Sequence, residues 1–237
     1  MFSIVFAGLF FTLMILVSSI GVNHVFGDSV ISTISVEKFP QAIEFNPANN
    51  NIYVANRDSG TVSIINSTNN TVVNNLEVGM SPQALEFNPA NNNIYVANYG
   101  SGTVSIIDSN TNTVIKEVDV GRDPVAIEFN PANNNIYVAN YGSGTVSAIG
   151  GSNQTLLGST GVGTEPVALE FNPANNNIYV ANLVSNSVSI IDSISNDISE
   201  TLNVNNVPLA LKYNPSNNST YVTGTRSGTE GLVTLIH

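Results

Sequence analysis

The sequence predicts an all-β fold, a β-propeller of five four-stranded antiparallel blades, and three observations support this. A unit recurs every 42 residues, and its copies begin at Pro40, Pro82, Pro124, Pro166 and Pro208. Each copy contains short runs rich in Val, Ile, Tyr and Phe, none of which has helical length or period. Four short strands in about 40–45 residues is the length of a propeller blade.

The third unit shows how the strands are predicted. We expect strands at 125–130, 136–141 and 145–149, a weaker one at 155–159, and a clearer fourth strand at 113–120 in the second unit. Asn-Pro, the Asn run behind it and Gly-Ser-Gly supply the turns between them. The strands are apolar on both faces, which suits a blade between two neighbours. A parallel solenoid is the rival fold, although its repeats are usually shorter.

The last unit suggests how the ring closes. It runs from 208 to 237 and ends after its third strand, near 233–236. Residues 30–36 lie upstream of Pro40 as 114–120 lie upstream of Pro124. We therefore expect this N-terminal strand to pair with the last blade and close the ring, which would remove the exposed sheet edges.

Residues 1–27 are predicted to be a signal peptide or an N-terminal membrane anchor, and residues 28–237 the propeller. The apolar run at 4–17 is shorter than the roughly 20 residues of a spanning helix and matches a secretory core. No Lys or Arg precedes it, which departs from the usual signal. Either interpretation places the body outside the cell or at its surface.

Composition excludes several classes of function. The net charge is -11, with 17 acidic and six basic residues, and such a surface repels nucleic acid and anionic membrane. There is no cysteine, and the two histidines are His24, in the leader, and His237, the last residue. The body therefore lacks the usual general base and the usual zinc ligand. No catalytic motif is visible, so we expect a protein that is not an enzyme and carries no cofactor.

The tetrapeptide Tyr-Val-Ala-Asn recurs at 53–56, 95–98, 137–140 and 179–182, with Tyr-Val-Thr-Gly at 221–224. Together with the Gly-x-Gly-Thr-Val-Ser-Ile-Ile-Asp pattern that follows, it makes the body resemble the YVTN family of β-propeller repeats. The resemblance implies a secreted or surface-layer protein, usually of seven blades, and five units depart from that number. More distant propeller relatives are lactonases and lyases, so the fold alone does not settle the function.

One face is expected to bind a partner, an extracellular protein or a glycan. In propellers, the loops between blades and those between second and third strands share a face, and here they vary most among the copies. Loops also vary without binding anything, so drift remains the alternative. The candidate residues for this partner-binding face are Arg57, Asp58, Tyr99, Arg122, Asp123, Tyr141, Glu165 and Arg226.

A second candidate set occupies one position of the innermost strands and should line the central channel. These residues are Glu44, Glu86, Glu128, Glu170 and Lys212. An unpaired buried carboxylate is costly. The glutamates therefore face a wet channel, accept hydrogen bonds from a neighbouring blade, or hold a cation such as calcium.

Glycosylation sequons lie in the other two loop types, on the face opposite the candidate partner-binding face. Their acceptors are Asn66, Asn69, Asn153, Asn217 and Asn218. We therefore expect a non-enzymatic binding or scaffold module at the cell surface, or part of a cell-envelope layer. The alternative is a lactonase-type or lyase-type enzyme that uses carboxylates at the channel mouth.

Overall fold

A computed structural model describes residues 30–226 and 230–237 of the chain. These residues form nineteen β-strands and no helix. Accordingly, no helix in the described part is long and apolar enough to cross a membrane. The compact unit that contains all the strands runs from Ile34 to His237. The predicted leader at 1–27 lies outside the described residues.

The strands fall into five groups, which we number as blades 1 to 5. Blade 1 contains β1 (Pro40–Asn46), β2 (Asn51–Asn56), β3 (Thr61–Asn66) and β4 (Thr71–Glu77). Blade 2 contains β5 (Pro82–Asn88), β6 (Asn93–Asn98), β7 (Thr103–Asp108) and β8 (Thr113–Asp119). Blade 3 contains β9 (Pro124–Asn130), β10 (Asn135–Asn140), β11 (Thr145–Gly150) and β12 (Leu156–Gly161). Blade 4 contains β13 (Pro166–Asn172), β14 (Asn177–Asn182), β15 (Ser187–Asp192) and β16 (Ile198–Asn203). Blade 5 contains β17 (Val207–Asn214), β18 (Ser219–Arg226) and β19 (Glu230–Ile236).

Each blade is one antiparallel sheet whose strands follow chain order. The register is the same in every blade, so Glu44 lies opposite Tyr53 in blade 1 and Glu128 opposite Tyr137 in blade 3. The Asn-rich turn after each first strand carries an asparagine in the left-handed region, for example Asn134 at φ 61°. Asparagine tolerates that conformation, which explains why it recurs at these turns.

The hydrophobic core lies between blades. We call the side of a blade that meets the next blade its leading face, and the side that meets the preceding blade its trailing face. On blade 1 the leading face contains Tyr53, Ala55, Val62 and Ile64. It packs on the trailing face of blade 2, which contains Leu85, Ile94, Val96 and Ile107. Equivalent residues repeat this packing at the next three boundaries. The apolar groups on both faces of each strand are therefore explained by contact with two neighbours.

The prediction that residues 30–36 close the ring is not confirmed. Those residues form no strand, and the sheet of blade 5 has three strands, in which β19 pairs with β18 alone. The innermost strands pack in series from β1 to β17, but no packing of similar extent joins β17 to β1. Residues just upstream of blade 1 can reach blade 5 only if those two blades are neighbours. Among the described residues they are not, which accounts for the missing pairing.

Candidate functional site

Backbone hydrogen bonds tie the inter-blade turns to the turns between second and third strands. The N–H of Tyr99 donates to Ser81 O at 3.0 Å, and the N–H of Tyr141 donates to Asp123 O at 3.0 Å. The N–H groups of Arg57 and Leu183 make the same bond to Phe39 and Glu165. The two loop types therefore lie together at one end of every blade from 1 to 4. This end carries the candidate partner-binding face.

The candidate partner-binding face contains a cleft between blades 3 and 4. Tyr141 is half-buried, and its interaction with the Glu165 carboxylate is the main reason why the pKa of Tyr141 is raised. Asp123 and Tyr99 are near enough to contribute smaller electrostatic effects in the same direction. A cleft of about 370 Å³ opens here, lined by Tyr141, Gly142, Ser143, Gly144, Val162, Gly163, Thr164 and Glu165.

Arg122 and Asp123 stiffen one wall of this cleft. The Arg122 guanidinium Nη2 donates to Gly142 O at 2.6 Å, and the Gly142 N–H donates to Arg122 O at 3.0 Å. A Cβ at position 142 would lie 2.2 Å from the Asp123 carboxylate, so the Asp123 side chain would have to move to admit one. The cleft is thus lined by Tyr141 and the Glu165 carboxylate, and the Arg122 guanidinium lies next to it, bonded to the backbone of Gly142.

The remaining predicted residues of this face lie apart from the cleft. The Arg57 guanidinium stacks over Phe39 at 5.8 Å from the ring centre, and Asp58 is exposed beside it on blade 1. Arg226 is exposed at the end of β18 in blade 5. The structure therefore brings together Tyr99, Asp123, Tyr141 and Glu165, with Arg122 adjacent, but places Arg57, Asp58 and Arg226 on the two end blades.

The second candidate set forms a row along the innermost strands. Glu128 Oε1 accepts the backbone N–H of Phe171 from the next blade at 3.2 Å. In the same way Glu170 Oε1 accepts the N–H of Tyr213 at 2.9 Å, and it also pairs with Lys212 Nζ at 2.9 Å. Of the three roles considered from the sequence, hydrogen bonding to a neighbouring blade is the one seen for these two residues.

Burial raises the pKa of the inner glutamates. It raises the pKa of Glu86 to about 8, with repulsion from Glu128 and Glu44 adding to the effect. For Glu128 burial raises the pKa to about 7, although the Phe171 N–H acts in the opposite direction. The pKa of Glu44 is raised by burial as well. Among the described residues no group of three or more His, Cys, Asp or Glu side chains is arranged to hold a metal ion.

The predicted glycan acceptors lie at the opposite ends of the strands. Asn69 and Asn153 are exposed in turns between third and fourth strands, and Asn66 ends β3. Asn217 and Asn218 are exposed in the turn between β17 and β18. Ser67 N–H donates to Asn50 O at 3.2 Å, which joins these two kinds of turn within blade 1. Both kinds thus lie away from the Tyr141 cleft.

The sequence did not reveal two structural roles of the repeated tetrapeptide. Its tyrosine crosses the blade boundary: Tyr137 Oη donates to Asn196 Oδ1 at 2.8 Å and accepts from Asn133 Nδ2 at 3.2 Å. Its asparagine is fully buried, and Asn140 Nδ2 donates to Thr145 and Ser147 on the neighbouring strand. The near-identity of the copies indicated that the tetrapeptide is important. It did not indicate that its tyrosine and asparagine have a structural role.

Comparisons with known proteins agree with this architecture. Residues 28–141 match a family model described as YNCE-like beta-propeller. No curated protein was found to match the sequence.

Three solved structures show the same fold. Hydrazine synthase of Kuenenia stuttgartiensis aligns with a TM-score of 0.73 and 21% identity, over 89% of this chain and 66% of that one. A functionally unknown protein from Desulfotomaculum acetoxidans aligns with a TM-score of 0.68 and 18% identity, over 86% of this chain and 71% of that one. Virginiamycin B lyase from Staphylococcus aureus aligns with a TM-score of 0.67 and 12% identity, over 84% of this chain and 70% of that one. This chain thus spans about two thirds of the length of each, and at such identities the likeness concerns the fold alone. The repeated tetrapeptide, the blades and these matches together show a β-propeller fold and support its construction from YVTN-type repeats.

Proposed function

We propose that this propeller is a non-enzymatic binding and scaffold module, exported to the cell surface or beyond, that holds an extracellular protein or a glycan. The observation that carries the proposal is the Tyr141 cleft between blades 3 and 4. It is lined by the Tyr141 ring and the Glu165 carboxylate, and the Arg122 guanidinium is held beside it by its bond to Gly142 O. Tyr and Arg are the residues that most often anchor interfaces, because they bury area and donate hydrogen bonds together.

The scaffold supports binding by fixing the cleft in advance. Its walls are turns that are hydrogen-bonded to each other at 2.9–3.0 Å, and they rest on blades with fully buried cores. A preformed surface loses little conformational entropy when a partner docks. The predicted glycan acceptors stand at the other end of the blades, so sugars there would leave the cleft free.

The test is binding of the full chain to an array of cell-surface glycans and to extracts of the native envelope. Tyr141→Ala and Arg122→Ala should each weaken binding by tenfold or more, which is about 1.4 kcal/mol or more. Asn153→Gln, at the opposite end of the same blade, is the matched control and should bind normally. Loss of binding in Asn153→Gln with normal binding in Tyr141→Ala would assign the function to the other face.

A second candidate function, hydrolysis or lyase chemistry, is favoured by one observation. The pKa values of Glu86 and Glu128, about 8 and 7, place proton exchange near neutral pH, where a general acid or base works best. Screening lactone substrates with the native chain and with Glu86→Gln and Glu128→Gln distinguishes the two functions. Turnover that both glutamine variants abolish would establish the enzyme, whereas binding that survives both variants supports the module.

A further inference from the structure

A pocket of about 500 Å³ opens between blades 4 and 5. It is lined by residues of β14, β15, β16 and β19, and by Asn175 in the turn before β14. At the other three boundaries, the turn between the third and fourth strands of the later blade reaches this place. Blade 5 has no fourth strand among its described residues, and β19 pairs with β18 alone. The pocket therefore corresponds to a position that is filled at the other boundaries.

The filled positions show what this place accepts. An asparagine in the turn before each second strand donates a side-chain N–H to a backbone carbonyl oxygen in the turn of the next blade. The distance is 2.8 Å at all three boundaries, and the pairs are Asn49 with Ser109, Asn91 with Gly151, and Asn133 with Ser193. The first feature that is recognised is thus a free carbonyl oxygen at the start of a turn.

A second bond is made three residues further along the turn. Tyr53 Oη donates to Asn112 Oδ1 at 3.0 Å, and Tyr137 Oη donates to Asn196 Oδ1 at 2.8 Å. Both asparagines are in the left-handed region, at φ 53° and 59°, which asparagine tolerates better than most residues. In blades 2 and 4 the turn therefore has the sequence Ser-x-x-Asn, and its first carbonyl and last side chain are both bound.

Blade 4 presents the same two donors to the pocket. Asn175 Nδ2 donates to Tyr179 Oη at 3.1 Å, as its equivalents do, but within the described residues neither side chain bonds to blade 5. Asn175 is exposed, whereas its three equivalents are half-buried. Tyr179 is only 4% exposed, so a hydroxyl group without an acceptor there lowers stability. A ligand that supplies the two acceptors would recover that loss.

We propose that the pocket and the outer edge of β19 bind a segment of another protein, a Ser-x-x-Asn turn followed by a β-strand. The serine carbonyl oxygen of the segment accepts from Asn175 Nδ2, and its asparagine Oδ1 accepts from Tyr179 Oη. The strand adds to β19 where a fourth strand lies in the other blades. Backbone hydrogen bonds along β19 supply affinity, and the turn supplies specificity.

The described chain offers no segment of its own for this place. Every fourth strand that the structure describes is already paired within its own blade. Residues 30–36 lead directly into β1, and blade 1 is not a neighbour of blade 5 in the described structure. The turn that contains Asn175 is of the type found at the end of the blades away from the Tyr141 cleft. This inference therefore does not depend on the proposed function.

The probe is a fluorescent peptide with capped ends and the sequence of residues 109–118, which contains both the turn and the strand of blade 2. Its anisotropy should rise to saturation with the full chain, in a mild detergent that masks the apolar run 4–17. Tyr179→Phe and Asn175→Ala should each weaken binding by about threefold to tenfold, because each removes one hydrogen bond. Tyr221→Phe, the same substitution at the same repeat position in blade 5, is the matched control and should bind normally.

Variants of the peptide test the turn and the strand separately. Asn112→Ala should weaken binding by about threefold to tenfold, whereas Asn110→Ala, at an exposed asparagine of the same turn, should not. In the Tyr179→Phe chain, Asn112→Ala should cause little further loss, because the two groups bond to each other. A peptide with both Ile115→Pro and Lys116→Pro should not bind, since one of two adjacent N–H groups faces β19 in an added strand.

Four results would overturn the proposal. Absence of saturable binding at millimolar peptide would show that the pocket does not accept such a segment. Equal affinity for the native chain and for Tyr179→Phe would place the peptide elsewhere on the molecule. Full binding of the proline peptide would contradict strand addition. A native chain that associates with itself and is dispersed by the peptide would assign the site to a second copy of this chain and not to another protein.

Discussion

Glu170 accepts the backbone N–H of Tyr213 at 2.9 Å across the boundary between blades 4 and 5. The side chain of Glu170 is 9% exposed, whereas that of its ion-pair partner Lys212 is 81% exposed. Water therefore screens the ion pair, and the bond to the backbone is the part of the arrangement that contributes most to stability. The inner row thus joins blades by hydrogen bonds, with charge as a secondary effect.

Replacing Glu170 tests this explanation. Glu170→Ala should lower the free energy of unfolding by about 1–2 kcal/mol, because the Tyr213 N–H loses its acceptor. Glu170→Gln retains an acceptor oxygen and should lower the free energy of unfolding by a smaller amount. Both are measured by urea unfolding against Glu200→Ala, which alters an exposed glutamate on β16. If Glu170→Ala unfolds at the same urea concentration as this control, the hydrogen bond has no measurable role.

Stability should depend on pH through Glu86 and Glu128. Their pKa values in the folded chain, about 8 and 7, lie above the ordinary value of 4.5, so folding favours the protonated forms. This contribution is fully present below about pH 4.5 and is lost as the pH rises through 7 and 8. We expect the two groups together to remove several kcal/mol of stability between pH 5 and pH 9, because each pKa unit corresponds to about 1.4 kcal/mol.

Glutamine variants assign that pH dependence. Glu86→Gln should flatten the decrease in stability with pH, because the amide does not ionise. Glu77→Gln, on the exposed outer strand of blade 1, should leave the decrease unchanged. Urea midpoints recorded at unit steps of pH measure both, and an unaltered slope in Glu86→Gln would contradict the assignment.

The tyrosine of the tetrapeptide should matter more inside the series of blades than at its end. Tyr137→Phe removes the donor to Asn196 Oδ1 and one of the two acceptors of Asn133 Nδ2, the other being Ser193 O, and should lower stability by about 1–2 kcal/mol. Tyr221→Phe occupies the same repeat position in blade 5, where the exposed Asn217 is the one partner of the hydroxyl among the described residues. It should cost less than half as much. Equal losses in thermal unfolding would show that the contact across the blade boundary contributes nothing.

Two glycines differ sharply in what surrounds them. A Cβ at Gly121 would lie 2.6 Å from the Asn140 Cβ and from Ser143 Oγ, so the inter-blade turn must move to accept it. Gly121→Ala should therefore destabilise by about 1–3 kcal/mol. Gly161→Ala, on β12, meets nothing within 4 Å and should change stability by less than about 0.5 kcal/mol. Circular dichroism melts of the two variants give the comparison directly.

Local patterns in the sequence were enough to predict the strands. The fourth strand of blade 2 was expected at 113–120 and is found at Thr113–Asp119, and the second strand of blade 3 was expected at 136–141 and is found at Asn135–Asn140. Each strand pairs with its neighbour in the chain, so local signals settle the pairing. Residues 30–36 show the limit of this reasoning. Their alternation resembles that of a fourth strand, but pairing with β19 depends on where distant blades lie, and the local pattern does not contain that information.

For the candidate sites, too, the sequence predicted which residues share a row or a face but not the contacts that they make. That the inner glutamates form a row follows from strand register, which the repeat specifies. Their bonds to Phe171 and Tyr213 depend on the distance between blades, and the sequence does not give this distance. The contact of Tyr141 with Glu165 is similar, since the two residues belong to loops 24 positions apart that meet only after the blades pack.

The near-identity of the blades has a consequence for folding kinetics. Because the first and second strands of blades 2, 3 and 4 are almost the same sequence, a hairpin of one blade can dock where another belongs at little cost in energy. Chains with interchangeable units are prone to such traps, and the trapped forms expose apolar surface. The differing outer strands, such as β8 and β12, are then the parts that distinguish one unit from the next during folding. Refolding from denaturant should accordingly show a slow phase that becomes faster when the outer strands are made more different.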